Sequence, residues 1–190
     1  WCQEFCIKEL TLYTFSIQNF NRPKKEFDYL MKIFKDNFDK LIDDKRLEEN
    51  KIRINIIGRI YMFPKDVQER LNRIMEQTKN NNNYIINFAM AYGGREEGID
   101  ATKKVAEQIK DGTLNIEDIN EETFSKNLYC AHQPDLIIRT GGDRRTSNFL
   151  SFQSAYSEWL FIDKMWPEFE KEDFEDAIKN YSERQRRFGK

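Results

Sequence analysis

The segment IIRTGGDRRTSNF, residues 137–149, concentrates hydrogen-bond donors in one short stretch of chain. Two apolar residues lead directly to Arg139, a glycine pair, Arg145, Ser147 and Asn148. Arginine carries a planar fork of N–H donors that matches phosphate oxygens, and neighbouring glycines allow backbone N–H groups to come close to an anion. These residue types predict a binding site for a multiply charged anion, of which a pyrophosphate is the natural example.

Three polar segments that follow apolar, strand-like runs each contain an arginine. They are SIQNFNRP (16–23), YGGREE (92–97) and RTGGDRRTSN (139–148). Ligands of parallel α/β sheets collect beyond the carboxyl ends of the strands. We therefore expect the three segments to meet at one rim, with their arginines around the anion: Arg22, Arg95, Arg139 and Arg145.

A magnesium ion is the usual companion of a pyrophosphate, and proteins hold it with one or two carboxylates. The candidate ligand is Glu158, which lies in the apolar stretch AYSEWLF, where burying an unused carboxylate would cost free energy. The structural alternative is that arginines of the donor-rich segment simply pair with Glu158 or Asp143. Several arginines beside glycines at strand ends favour the ligand over that alternative.

The elements that must position these residues alternate between strand-like and helix-like patterns. The predicted strands span 9–16, 51–58, 84–92, 135–140 and 155–163. The predicted helices span 23–44, 64–79, 98–112 and 171–188, with a short helix opening at Asn120. This alternation, with apolar central strands, predicts an α/β fold in which a single parallel sheet is flanked by helices.

The chain of 190 residues fits one domain, 1–190, because it shows no internal repeat and no boundary for a second domain. A net charge of −2 gives no overall attraction to nucleic acid, so any anion site must be local. Three cysteines without framework spacing indicate a reducing, cytoplasmic compartment. The familiar phosphate-loop, dinucleotide and zinc-protease motifs are absent, and so is the D-D-x-x-D of all-helical prenyl synthases.

Five ordered blocks of the sequence resemble the cis-prenyltransferases, the family of undecaprenyl and dehydrodolichyl diphosphate synthases. The blocks are WCxExxIKxLTLYxFSxxNxxRP (1–23), YGGRxE (92–97), PDLxIRTGGxxRxSNFLxxQxAYSE (134–158), WPEF (166–169) and RRFG (186–189). The resemblance implies a cis condensation of isopentenyl diphosphate with an allylic diphosphate, farnesyl diphosphate being the expected one. The implied product is a long polyprenyl diphosphate, a dolichol or undecaprenol precursor.

The resemblance also implies roles for individual residues. Isopentenyl diphosphate would be held by Arg139, Arg145 and Ser147, and by a C-terminal tail that includes Arg187 and Gly189. The residues beside the reacting groups would be Ser16, Asn19 and Arg22, and Glu158 would help to bind Mg²⁺. Because the tail of family members reaches into the partner subunit's site, a homodimer is expected.

A growing prenyl chain needs an apolar tunnel. The candidates are Leu30, Ile33, Phe34, Phe38 and Ile86, whose alternative role is plain hydrophobic core. The lipid product leads us to expect peripheral contact with a membrane, the endoplasmic reticulum if the source is eukaryotic.

The family's first block, H-x-A-x-I-M-D-G-N-G-R, does not occur in the sequence. We expect it to precede Trp1 in the natural protein, and we expect a chain without its aspartate to be inactive. Two alternatives to the enzyme remain open at this point: a non-catalytic cis-prenyltransferase-like partner subunit, and a diphosphate-binding module without turnover.

Overall fold

Parallel β-strands organise both parts of the chain. The computed structural model describes residues 1–184. The chain forms two compact units: one spans Cys2–Cys130, and the other contains Trp1 and the chain from Ala131 onward. Each unit has its own parallel sheet, with three strands in the first and two in the second.

The sheet of the first unit is built around one apolar strand. Its strands are β1 (Glu9–Ser16), β2 (Ile52–Ile57) and β3 (Tyr84–Tyr92). The order is β1-β3-β2, so β3 pairs with a parallel neighbour on each side. Residues 89–92 at its carboxyl end are all buried, in keeping with the nearly continuous apolar sequence YIINFAMAY.

Parallel strands need crossover connections, which helices supply here. The helices of the first unit are α1 (Lys24–Ile42), α2 (Arg46–Glu49), α3 (Lys65–Thr78), α4 (Gly94–Lys110) and α5 (Glu121–Ser125). Apolar side chains at helical spacing on α1 and α3 form one core with β2 and β3. Its members include Met31, Phe34, Phe38, Ile54, Ile56, Leu71, Ile74 and Met90.

The outer edge of β2 is closed by side chains of α3. The Ile54 N–H donates to Thr78 Oγ1 at 3.0 Å, and the Ile56 N–H donates to Met75 Sδ at 3.4 Å. Unpaired edge N–H groups would otherwise offer a template for pairing with another strand. These contacts therefore limit strand addition at this edge.

The second unit contains the donor-rich segment. Its elements are β4 (Leu136–Thr140), β5 (Glu158–Ile162) and α6 (Lys171–Glu183). The ladder places Leu136 opposite Glu158 and Arg139 opposite Phe161. The Trp1 ring lies against Phe174 of α6, with ring centres 6.0 Å apart.

The predicted α/β class with parallel strands is confirmed. The described strands form two sheets rather than the predicted single sheet, since β1 and β4 each pair with one strand only. The helix predicted over 98–112 begins at Gly94, because extended Gly93 is its N-cap and two glutamates occupy its first turn, where the helix dipole favours negative charge. None of the described helices is both long and apolar enough to cross a bilayer. Organisation as one domain stays a prediction.

Candidate active site

The turn after β4 brings Arg139, Arg145 and Ser147 together. Arg139 lies near the end of β4, and its Nη1 donates to Ser147 Oγ at 2.7 Å. The same nitrogen donates to the carbonyl oxygen of Arg145 at 2.5 Å. The Arg139 side chain thus links the two ends of the turn. It holds Arg145 through its carbonyl and Ser147 through its hydroxyl, the other two residues predicted to bind the diphosphate. We call residues 139–148 the arginine turn.

A carboxylate of the chain already lies among these donors. Arg145 Nη2 donates to Asp143 Oδ2 at 2.5 Å, and Arg139 Nη2 lies 3.6 Å from the same oxygen. The structural alternative, in which an arginine of the turn pairs with Asp143, is therefore observed. Arg139 Nε is buried and has no acceptor among residues 1–184, although buried N–H groups normally find one. This N–H is therefore a donor that the turn itself does not use.

The backbone of the arginine turn is held in an uncommon conformation. Ser147 and Asn148 have positive φ angles of 49° and 63°, which residues with a Cβ rarely adopt. Such residues cost about 1–3 kcal/mol each, and they occur mostly at functional sites, where the surroundings hold them in place. The conformation fixes the position of the Ser147 hydroxyl beside Arg139.

The paired glycines of the turn do not serve as anion donors, which corrects the expectation drawn from the sequence. The Gly141 N–H donates to the carbonyl of Lys164 at 2.8 Å, and the Gly142 N–H to that of Ile162 at 3.1 Å. Both have positive φ, 95° and 76°, which glycine adopts without a steric penalty. They shape the turn and tie it to the end of β5, so their N–H groups are already used within the chain.

Glu158 is the first residue of β5, away from the end of the ladder where the arginine turn begins. It is opposite Leu136, three register positions before the Arg139 pair, or about 10 Å along a parallel strand. Its Oε2 accepts a hydrogen bond of 2.6 Å from Nη1 of Arg184. The alternative that Glu158 pairs with an arginine of the turn is wrong, because Arg184 is its partner.

The third group of predicted residues lies in the first unit, where β1 ends. The Ser16 N–H donates to Asn19 Oδ1 at 2.8 Å, which fixes the start of a 3₁₀ turn over Ile17–Asn21. Arg22 follows this turn and forms an ion pair with Glu26 in the first turn of α1. The structure thus brings Ser16, Asn19 and Arg22 into one strand-to-helix connection, as the sequence predicts. Whether the strand ends of the two units share one rim stays a prediction.

A buried carboxylate organises the end of β3. Glu97, in the first turn of α4, is 1% exposed. Its Oε1 accepts from the Tyr129 N–H at 2.8 Å and from the Cys130 N–H at 3.3 Å, while Oε2 accepts from the Tyr92 hydroxyl. The carboxylate therefore ties the YGGRxE segment to the end of the first unit.

A second network adjoins it through Tyr129. Arg59, just beyond β2, makes a two-pronged contact with Asp100, with both N–O distances at 2.8 Å. The Tyr129 hydroxyl also donates to Asp100. The hydrogen bonds from Arg59 hold the pKa of Asp100 below its usual range, whereas burial and the neighbouring Asp100 raise that of Tyr129.

Comparison with known proteins identifies the family. Residues 1–189 match the family described as putative undecaprenyl diphosphate synthase. The chain is 47% identical over 194 residues to the tritrans,polycis-undecaprenyl-diphosphate synthase (geranylgeranyl-diphosphate specific) of Methanocaldococcus jannaschii, covering all of this chain and 69% of the relative. An enzyme of the same name from Pyrococcus horikoshii is 47% identical over 192 residues, all of this chain and 73% of the relative.

The chain belongs to the undecaprenyl diphosphate synthase family. Two solved structures agree. Lavandulyl diphosphate synthase from Lavandula x intermedia, in complex with dimethylallyl diphosphate, has a TM-score of 0.92 and 34% identity, covering 98% of this chain and 81% of that one. A probable undecaprenyl diphosphate synthase from Campylobacter jejuni has a TM-score of 0.88 and 33% identity, covering 100% and 86%. The resemblance seen in the sequence is confirmed, and the protein is a prenyl transferase.

Membership of the cis-prenyltransferase family gives the remaining predicted residues their context. Arg187 and Gly189 lie outside the described residues. Of the tunnel candidates, Phe34 and Phe38 are core residues, while Leu30 and Ile86 are partly buried against that core. Ile33 is also partly buried. Their role as a tunnel lining stays a prediction.

The buried networks around Glu97 and Arg59 are not predicted by the sequence patterns. A signal existed for the first: Glu97, Ala101 and Val105 recur every four residues on the buried stripe of α4, where a carboxylate must be satisfied. No comparable sequence pattern predicts the pairing of Arg59 with Asp100. They lie on different elements and become partners only in the folded chain.

Glu97→Ala tests the first network. The substitution leaves two partly buried backbone N–H groups and the buried Tyr92 hydroxyl without their acceptor, so we expect a loss of about 2–5 kcal/mol in the free energy of unfolding. Urea unfolding followed by circular dichroism measures it. Glu107→Ala, on the exposed side of the same helix, is the matched control and should stay within about 0.5 kcal/mol of the parent. Equal losses in the two variants would contradict the role of Glu97.

Proposed function

We propose that the arginine turn binds the diphosphate of isopentenyl diphosphate in a cis-prenyl elongation reaction. The observation that carries this proposal is the contact of both Arg139 and Arg145 with the carboxylate of Asp143, with the Ser147 hydroxyl hydrogen-bonded to Arg139 beside them. A diphosphate offers more acceptor oxygens and more charge than a carboxylate. It can therefore take the donors that Asp143 holds.

The reaction itself balances in three changes. The C–O bond to C1 of the allylic diphosphate breaks, and its electron pair leaves with pyrophosphate. The double bond of isopentenyl diphosphate then joins its C4 to that carbon, and a proton leaves C2 to restore a double bond. Holding the diphosphate of the nucleophile in a fixed turn keeps C4 in line with the allylic carbon, which converts a bimolecular encounter into an oriented one.

Mg²⁺ is part of this proposal, and the residues present are compatible with it. No group of three or more potential ligands occurs in the part of the chain that the structure describes, but Mg²⁺ usually takes one or two carboxylates together with phosphate oxygens and water. Glu158 supplies one carboxylate, with a side chain that is 29% exposed. When bound, the ion would neutralise charge on a diphosphate.

The allylic substrate is proposed to be geranylgeranyl diphosphate, and the product a long tritrans,polycis-polyprenyl diphosphate. The support is the specificity in the names of the relatives from Methanocaldococcus jannaschii and Pyrococcus horikoshii. The farnesyl diphosphate and dolichol precursor expected from the sequence become the competing prediction.

An assay of product length and of preference among allylic substrates tests this choice. Purified protein that carries the family's H-x-A-x-I-M-D-G-N-G-R block ahead of Trp1 is given labelled isopentenyl diphosphate and Mg²⁺ with dimethylallyl, farnesyl or geranylgeranyl diphosphate, and the extracted products are sized. We expect kcat/KM to be at least about tenfold higher for geranylgeranyl than for farnesyl diphosphate, the discrimination that a longer apolar chain in a hydrophobic pocket can give. A preference for farnesyl diphosphate would reverse the assignment. Only short products from all three allylic diphosphates would exclude long-chain elongation.

Arg139→Ala tests the diphosphate contact. Loss of one charge-assisted hydrogen-bonding group costs about 1.5–3 kcal/mol, so the KM for isopentenyl diphosphate should rise about 10- to 150-fold while that of the allylic substrate changes little. The matched control is Arg144→Ala, which removes an exposed arginine from the same turn and should change KM less than about threefold. Similar KM increases in both variants would show that the effect comes from the loss of positive charge in general and not from a specific contact of Arg139.

A homodimer is proposed on the basis of the resemblance of the C-terminal tail to that of family members. Light scattering coupled to size-exclusion chromatography should give about twice the 22.9 kDa of the chain. A monomer that retains full activity would contradict it. Peripheral contact with a cytoplasmic membrane surface is proposed because the product is a lipid.

A further inference from the structure

The carboxylate proposed to bind Mg²⁺ is already engaged by an arginine from the end of the last helix. Arg184 follows α6 directly, with φ −76° and ψ 133°, and its N–H donates to the Tyr181 carbonyl at 3.2 Å. Its Nη1 donates to Glu158 Oε2 at 2.6 Å. The two side chains are 38% and 29% exposed, so the pair lies at the surface of the unit but not in bulk solvent.

This pair differs from the other ion pairs of α6. Lys164 with Asp173, and Lys171 with Glu175, are lysine contacts within α6 or between it and the preceding loop. Arg184 instead reaches the first residue of β5, 26 positions earlier in the chain. Among the described residues, Arg184 is the only charged partner of Glu158. The oxygen Oε1 accepts no hydrogen bond from this part of the chain.

We propose that Arg184 competes with the divalent cation for Glu158. The inference rests on the proposed function, in which Glu158 is a Mg²⁺ ligand. Once a dication coordinates Glu158, like-charge repulsion opposes retention of Arg184 at the same group. Binding of the cation therefore weakens or breaks the contact with Arg184.

The Arg184–Glu158 ion pair is weak enough for a divalent cation to displace it. Partly exposed ion pairs contribute little to stability, because water and salt screen them and both side chains lose freedom. Arg184 therefore lowers the cation affinity only modestly, and a Mg²⁺ ion that arrives with a diphosphate can displace it. Binding of the cation at Glu158 therefore changes the contacts of Arg184, the residue that directly follows α6.

Direct cation titration tests the competition without turnover. Mn²⁺ replaces Mg²⁺, isopentenyl diphosphate is present, no allylic diphosphate is added, and free Mn²⁺ is followed by electron paramagnetic resonance. We expect Arg184→Ala to bind Mn²⁺ about two- to fivefold more tightly than the parent, the factor expected for removing an exposed ion pair. Arg184→Lys should fall between the two. Lys179→Ala, which removes an exposed cation from the same helix, should be unchanged.

Glu158→Gln separates failure of this inference from failure of the metal assignment. Mn²⁺ binding at least about tenfold weaker in that variant supports Glu158 as a ligand. If Glu158→Gln binds Mn²⁺ like the parent, Glu158 is not a ligand. Both the assignment of Glu158 to Mg²⁺ and its competition with Arg184 are then wrong. If Glu158→Gln weakens binding but Arg184→Ala leaves it unchanged or weaker, the ligand stands and the competition is overturned.

Limited proteolysis provides an independent readout of the released arginine. Trypsin cleaves after arginine, and mass spectrometry measures the rate of cleavage after Arg184. In the parent, Mg²⁺ with isopentenyl diphosphate should raise this rate about two- to fivefold, the same factor by which the pair is weakened. In Glu158→Gln the cation should have no effect on it. A rate that falls on cation binding in the parent would show that Arg184 becomes more firmly held, and would overturn the inference.

Discussion

Parallel pairing of β4 with β5 is the constraint on which the arrangement of the second unit depends. The ladder opposes Arg139 to Phe161 and Leu136 to Glu158, so the arginine and the glutamate are fixed at opposite ends of the same two strands. A one-residue slip would invert the face of every side chain on the strand. The glycine pair after β4 secures the register, because Gly141 and Gly142 donate their N–H groups to carbonyls at the end of β5 and just beyond it.

The arginine turn shows how a binding loop can be ordered by its own groups. Arg139 bonds the Ser147 hydroxyl and the Arg145 carbonyl, and Asp143 accepts from Arg145. These contacts hold Ser147 and Asn148 in a left-handed conformation that costs free energy in isolation. A loop that is already in position loses less conformational entropy when an anion binds, which favours affinity and orientation together.

The first unit relies on buried polar contacts as well as its aromatic core. On the face of the sheet opposite to the one that packs against α1 and α3, Asn87 receives a hydrogen bond from Asn55 and donates to Glu9 and Thr11, linking all three strands. Glu97 and Asp100 then join α4 to the ends of β2 and β3 and to Tyr129. Because an unsatisfied buried polar group is costly, such networks favour one arrangement of the loops that carry the site residues.

The sequence by itself determined the class of fold, the positions of most elements and the residues of the arginine turn. Hydrophobic periodicity and turn residues are local properties of the chain, and the arginine turn is contiguous, so its members had to be neighbours. The bounds of β1 and β3 were predicted correctly for this reason. The block pattern added the family, which no single motif could establish.

Only the tertiary structure decided which charged groups meet. Arg184 and Glu158 are 26 residues apart, and Arg59 and Asp100 are 41 apart, so neither pair has a local pattern that would reveal it. The use of the glycine N–H groups by Lys164 and Ile162 was equally unpredictable, because it follows from the pairing register. Ion pairs and loop hydrogen bonds depend on distances of a few ångströms, which packing of the whole unit sets and sequence spacing does not.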